Sequence, residues 1–317
     1  MNDKVTISLL QLFEIFPNQE AAREYLESRL WPVGVTCPRC KTGDKIHQRK
    51  GGFYRCNNCL LDFTVRTGTI FERSHVPLHK WIYAMYLLVT ARKGISSLQL
   101  SKEIGITQKS AWFVLQRLRE ACGNKLEKLR GVIEIDESFF GGLEENKHEA
   151  KKIKAGRGAV GKKPVLGMRE RRGRTVLMTV DGVTTDTIQK AVYSNIEVLS
   201  MLHTDEHAAY RDFNDHLFFD HDSINHSSGE YKRGTVTVNG IESVWAVMKR
   251  GIHGVYHQVS PKHLDRYAQE FAFRLNDGNV KRHTLDRLGS FVDAVARKDH
   301  IQGAYQWRRK LERSKRR

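Results

Sequence analysis

The 317-residue sequence is short of cysteine, carries fewer acids than bases, and has no apolar run long enough to span a bilayer. Five cysteines in a chain of this length are too few for a disulfide framework. The hydrophobic stretches fall short of the roughly 20 residues a membrane helix needs, and no charged-then-apolar leader follows Met1, so the expectation is a cytoplasmic protein. No internal repeat is present. What remains is a chain, 40% hydrophobic, that can bury a sizeable core and divide into two or three domains. Lys and Arg number 53 against 36 acidic residues, a formal charge of +17 with a pI near 9.7, so a polyanion is the first partner to expect.

Periodicity divides the chain into five stretches. Residues 1–34 read as a helical segment: Ala22, Tyr25, Leu26 and Leu30 recur at helical spacing among Glu20, Arg23, Glu24 and Glu27, until Pro32 and Gly34 end the pattern. Residues 35–72 form a small polar module, with alternation over 61–71 that suggests a strand. Residues 73–129 are helical in period and break at Lys93-Gly94 and at Gly105-Ile106-Thr107, which predicts three helices. Residues 130–280 change to short β-rich runs at 132–135, 165–168, 175–180 and 200–203, with helices over 187–196, 241–250 and 262–275. Residues 281–317 read as a basic tail. Within the fourth stretch, 143–163 is an inserted loop bearing Lys147, Lys151, Lys152, Lys154, Arg157, Lys162 and Lys163, open to DNA contact or to no role beyond solvation.

Four of the five cysteines fall in two pairs, Cys37/Cys40 and Cys56/Cys59, with fifteen residues between the pairs. The two-residue gap turns both sulfurs of a pair toward one point, and the intervening chain suffices for a hairpin, so one structural zinc held by four thiolates is expected. A redox Cys-x-x-Cys would show one pair inside a βαβ pattern. The ribbon is compatible with DNA binding and equally with a structural or protein-contacting role. Cys122, left over in a helical pattern, reads as a buried structural thiol.

Over 96–122, Leu98, Ile104, Ala111, Leu115 and Leu118 repeat at helical spacing, and Gly105 permits a sharp turn, the outline of a helix-turn-helix. The opposite side of its last helix would show Lys109, Phe113, Gln116 and Arg117, side chains suited to phosphates and base edges.

Val132-Ile133-Glu134-Ile135-Asp136-Glu137 is an apolar strand that ends in acid, and Ser200-Met201-Leu202-His203-Thr204-Asp205 repeats the arrangement. Two such strands side by side would bring Asp136 and Asp205 together. After a further 36 residues Glu242 stands in a helical pattern that places Glu242, Trp245 and Lys249 on one side. Glu134 and Glu137 compete with Asp136, and Glu206 with Asp205. Acids around one point repel unless cations neutralise them, and hard oxygen donors favour Mg²⁺ or Mn²⁺, in all two ions. Such a pair suits in-line attack on a phosphodiester.

These residues resemble those of bacterial insertion-sequence transposases that join a zinc ribbon and a helix-turn-helix to a DDE domain of RNase H-like fold. The resemblance covers nearly the whole chain and rests on Cys37-Pro38-Arg39-Cys40, Gly68-Thr69-Ile70-Phe71, Asp136-Glu137-Ser138 with Gly141-Gly142, Thr204-Asp205-Glu206, Asn239-Gly240-Ile241-Glu242, and Phe273-Arg274-Leu275-Asn276. It implies a multidomain α+β protein: zinc ribbon, helical segment and α/β catalytic domain. It implies Asp136, Asp205 and Glu242 as the metal-binding triad, Asn239, Lys249 and Arg250 as DNA contacts, and strand cleavage followed by 3′-hydroxyl transfer into target DNA. Synapsis of two element ends further implies a homo-oligomer. Where many relatives carry a histidine shortly before the Asn-x-x-Glu motif, this chain has Thr237. The rival readings are a non-catalytic DNA-binding regulator and a structure-specific nuclease of the same fold.

Overall fold

The structure is a computed structural model that describes residues 6–123, 127–142, 148–152, 159–213, 218–225, 228–230, 232–278 and 282–295. Most of the basic insertion and the segment 296–317 lie outside the described residues. The chain divides into two compact units, 1–124 with 279–317, and 125–278. No helix among the described residues is long and apolar enough to cross a membrane.

In the first unit, α1 (Leu9–Ile15) and α2 (Gln19–Leu30) precede a three-stranded antiparallel sheet of β1 (Ile46–Arg49), β2 (Phe53–Cys56) and β3 (Asp62–Phe63). Ser8 and Asn18 start the two helices by accepting backbone N–H bonds, as N-caps do. The strand expected over 61–71 is confined to β3, because 64–74 folds into successive turns closed by Thr67, Thr69, Glu72 and Ser74 amides. A small core of Cys37, Tyr54, Cys56 and Phe63, edged by Trp31, holds the ribbon, and the Tyr54 hydroxyl donates to Glu27 Oε2 of α2 at 3.0 Å.

Three helices follow, α3 (Leu78–Thr90), α4 (Ser97–Ile104) and α5 (Gln108–Cys122). Ten of the thirteen residues of α3 are apolar or aromatic and make it the buried axis, with Trp81, Ile82, Ala84, Met85 and Leu88 fully enclosed. Gly105, at φ 59°, ends α4 in the left-handed region, and Thr107 caps α5, the outline of a helix-turn-helix. Leu98, expected in its core, is 56% exposed, and Leu100 packs inside instead. Cys122 is half-buried, donating to the Leu118 carbonyl. The stretch expected to be only a basic tail contains α9 (Thr284–Val295), whose Leu288, Phe291 and Val292 are fully buried. Arg287 donates to the Val89 carbonyl and Arg29 pairs with Asp293, which bind α9 to α3 and α2.

The second unit is a mixed sheet of β4 (Val132–Phe140), β5 (Lys163–Glu170), β6 (Thr175–Thr179), β7 (Met201–Thr204) and β8 (Asp220–Ser223), in the order β6-β5-β4-β7-β8. The first three strands form an antiparallel meander, and β7 and β8 then add parallel to β4. This is the topology expected of an RNase H-like domain. Alternation on β4 and β5 supplies two cores. Ile133, Ile135, Leu166 and Met168 pack with α6 (Thr185–Asn195) on one face. Phe140, Val165 and Leu177 pack on the other with α7 (Asn239–Gly251), a π-turn at Ile252–Tyr256, and α8 (Leu264–Asn276). Asp265 of α8 accepts from the Thr179 amide, and Asn276 exchanges bonds with the Thr175 backbone, so α8 is fixed to β6 at both ends.

Candidate functional site

The four cysteines come together. Their sulfurs all lie within 4.8 Å of one another, with Cys37–Cys59 and Cys40–Cys56 at 3.5 Å. A tetrahedral zinc with ordinary thiolate bonds sets sulfurs about 3.8 Å apart, so the donor set fits a structural Zn²⁺. The two knuckles are built alike. The residue after each pair takes positive φ, Lys41 at 62° and Leu60 at 59°, and turns the chain back so that Cys37 N meets Thr42 O and Cys56 N meets Leu61 O. A hydrogen bond from the Thr42 backbone, aided by Asn58, lowers the Cys40 thiol to about 6, while burial pushes the Cys59 thiol up to about 11, so the fit to zinc rests on the geometry of the four sulfurs.

The acids lie on the second unit. On β4, Asp136 faces α7, whereas Glu137 faces the α6 side, where the buried Tyr210 hydroxyl donates to its Oε2 at 2.7 Å. β7 runs parallel to β4 with Glu134 opposite His203, so continuing the register two residues sets Asp136 level with Asp205, just past the end of β7. Asp205 Oδ1 accepts the His207 amide at 3.0 Å, a turn that ends the strand. The two carboxylates feel each other. Burial, then the negative charge of Glu137 and of Asp205, push Asp136 up to about 7, against the lowering effect of a hydrogen bond from Trp245. Burial chiefly, and Asp205 after it, also raise Glu137.

Helix α7 approaches from the other side. Trp245 Nε1 donates to Asp136 Oδ2 at 2.8 Å, and Glu242 is exposed in the first turn of the same helix. The approach depends on Gly167, the residue opposite Asp136 on β5. A Cβ there would sit 2.7 Å from Ile241 Cδ1 and from Trp245 Cζ2. Thr237 accepts the Asn239 amide at 3.2 Å just ahead of α7. Among the described residues the cysteines are the group whose donor atoms converge within 4.8 Å; Asp136, Asp205 and Glu242 are not gathered that closely. Asp136 and Asp205 stand level across β4 and β7, and Glu242 lies in the first turn of α7. Such oxygen donors are the chemistry that Mg²⁺ or Mn²⁺ accepts.

The expected DNA contacts divide. Lys109 on α5 and Asn239, Lys249 and Arg250 on α7 are exposed. Gln116 is 4% exposed and so does not face outward. Arg117 points inward as well: its Nη1 donates to the carbonyls of Ile70 and Glu72 at 2.5 and 2.7 Å, and its guanidinium lies 4.2 Å from the Phe113 ring centre. Both are corrected from DNA contacts to parts of the helical core. The helix is longer in its buried stripe than period alone suggested, since α3, α4 and α9 all pack on it. Trp112, 37% exposed, takes a place beside Lys109 that sequence reasoning did not single out. Tyr210 and Ser138 are buried, as packing residues should be.

Residues 128–276 match the ISXO2-like transposase domain, and residues 17–61 match the transposase zinc-ribbon domain. The chain thus carries a match to a transposase zinc ribbon followed by a match to a transposase domain, and the two together take in more than half of the sequence. An uncharacterized protein in transposable element ISH50 of Halobacterium salinarum is 29% identical over 273 residues, which cover 82% of this chain and 91% of that protein. A chain in a cryo-EM structure of the simian T-cell lymphotropic virus intasome in complex with PP2A regulatory subunit B56 gamma is 10% identical, with a TM-score of 0.27. That match covers 61% of this chain and 65% of the other, less than two thirds of its length.

Proposed function

We propose that the chain is a DDE transposase that binds element-end DNA, cleaves it, and transfers the freed 3′-hydroxyl into target DNA. The observation that carries this reading is the parallel pairing of β4 with β7, which sets Asp136 level with Asp205 beneath the helix that bears Glu242. Asp136, Asp205 and Glu242 would hold two divalent ions. When bound, such ions activate a water or 3′-hydroxyl and stabilise the leaving oxygen of an in-line displacement. Trp245 orients Asp136 through its indole N–H, and Glu137 is turned away toward Tyr210. Asn239, Lys249 and Arg250, exposed along α7, would face the phosphates next to the cleaved bond, and Lys109 would contact DNA from α5. Tyr210 is buried with its hydroxyl committed to Glu137, which favours direct transesterification over a tyrosine-linked intermediate. Joining two ends calls for at least a dimer when synapsed, acting on DNA in the cytoplasm.

The test is incubation of purified protein with labelled element-end DNA, target plasmid and Mg²⁺. Strand-joined product is expected. Cleavage without joining would indicate a nuclease, and binding alone a regulator. Asp205→Asn should abolish both cleavage and joining while DNA affinity stays at the wild-type level; a variant that still joins strands would remove Asp205 from the site.

A further inference from the structure

Glu134 precedes Asp136 by two residues on the same face of β4 and is 3% exposed. A carboxylate so enclosed is costly to bury without partners. Its Oε2 accepts the backbone amide of Ile241 at 2.9 Å, in the first turn of α7, where free N–H groups and the helix dipole both favour a negative charge. Its Oε1 lies 3.5 Å from Arg171 Nη2, and the same guanidinium donates to the Thr235 carbonyl and meets His203 Nδ1 at 3.0 Å. Arg169, opposite Glu134 on β5, donates to the Gly240 carbonyl at 2.7 Å and to Ser243 Oγ at 2.9 Å. Gly240 has no side chain for a direct reason: a Cβ there would overlap the Glu134 carboxylate.

We infer that Glu134 is a positioning residue that sets the spacing between Asp136 and Glu242, by tying the amide next to Glu242 to the strand that carries Asp136. Ile241 adjoins Glu242, and Glu134 is two strand positions from Asp136, so one hydrogen bond links the two ligands through very little chain. Trp245 makes a second tie one turn further on, from α7 to Asp136 itself. Arg169 holds the Gly240 carbonyl and Ser243 to β5, so without Glu134 the first turn of α7 stays on the sheet but loses its own tie to β4, and Glu242 can shift against Asp136. The inference rests on the reading of Asp136 and Glu242 as metal ligands.

The test uses the full-length, zinc-loaded protein and Mn²⁺ as probe. In Glu134→Ala, the Mn²⁺ concentration for half-saturation, read by electron paramagnetic resonance, should rise about 10–100-fold, as when a partner of a metal ligand is removed. Exchange of the Ile241 amide should quicken at least about tenfold, while the α8 amides stay protected. Glu134→Gln keeps an oxygen acceptor for Ile241 N–H and should restore both readouts to within a few-fold of wild type. If Glu134→Ala does not fold, Gly240→Ala serves, since it leaves Glu134 in place and pushes its carboxylate off the helix end. Wild-type protein that binds Mn²⁺, together with a Glu134→Ala or Gly240→Ala variant that binds it equally well, would overturn the inference alone. Failure of Glu134→Gln to rescue would do the same. Wild-type protein that binds no Mn²⁺ outside the ribbon would remove the metal reading and this inference with it.

Discussion

At the scale of single residues, charge and hydrogen bonding around Asp136 lead to two measurable consequences. Trp245→Phe keeps the ring's packing against Phe140 of β4 but deletes the donor to Asp136, so metal-dependent activity should fall about 10–100-fold with little change in melting temperature. The second concerns pH. The Asp136 carboxyl is raised from 3.8 to about 7, so the folded state binds its proton more tightly than the unfolded chain does. Its contribution to stability is therefore full below about pH 4 and is lost as pH rises toward 7. In chelator, melting curves across that window should show a loss of the order of 2–4 kcal/mol that Asp136→Asn removes, and a wild-type profile as flat as the mutant's would contradict the assignment. Asp205 stands just past β7 as its apolar run suggests, whereas Asp136, expected at a strand end, lies in the middle of β4 because that strand runs on to Phe140. Gln116 and Arg117 were misread because a helical wheel shows which residues share a face, but not how many neighbours cover it. Arg117 has a charge that suits a phosphate as well as it suits two backbone carbonyls, and only the turns at 64–74 decide between them.

At the scale of elements, the α7 helix and the β4–β5 pair form one device. Gly167 leaves room for Ile241 and Trp245 against the sheet, and Gly167→Ala should cost about 1–3 kcal/mol by overpacking, and lower activity more than stability, because the displaced atoms belong to those two residues. A melting temperature unchanged from wild type together with full activity would show that α7 yields without consequence. The period of α7 was legible in the sequence. Its distance from the sheet was not, since that depends on a glycine seventy residues away in a run that reads simply as a buried strand. The strand β4 extends further than the apolar run predicts, through Ser138 to Phe140, because antiparallel pairing with β5 satisfies its backbone where its own hydrophobicity would not.

At the scale of the whole molecule, zinc and the C-terminal segment each support the first unit. Removing zinc, by chelation or by Cys56→Ser, should unfold the ribbon, because four side chains and one metal replace a core that Tyr54, Phe63 and Trp31 only begin to build. Loss of the β1–β3 amide signals with retention of those of α7 and α8 is the expected spectrum. Helix α9 is the other support. Phe291→Ala should cost about 3–5 kcal/mol, since the ring is fully buried, and proteolysis should then open the first unit before the second.

The sequence by itself determined the elements that local chemistry dictates: paired cysteines at knuckle spacing, an acid just past the apolar strand β7, and helices with apolar faces. These follow from periodicity and from what each side chain can bind, and both are local. Only the tertiary structure decided that Glu134 serves the end of α7 and not the site, that Arg117 turns inward, and that α9 returns from the far end of the chain to the N-terminal helices. Each of those outcomes depends on a partner tens or hundreds of residues away, and the free energy of burying a charge or a ring is set by that partner, not by the residue's own neighbours in sequence.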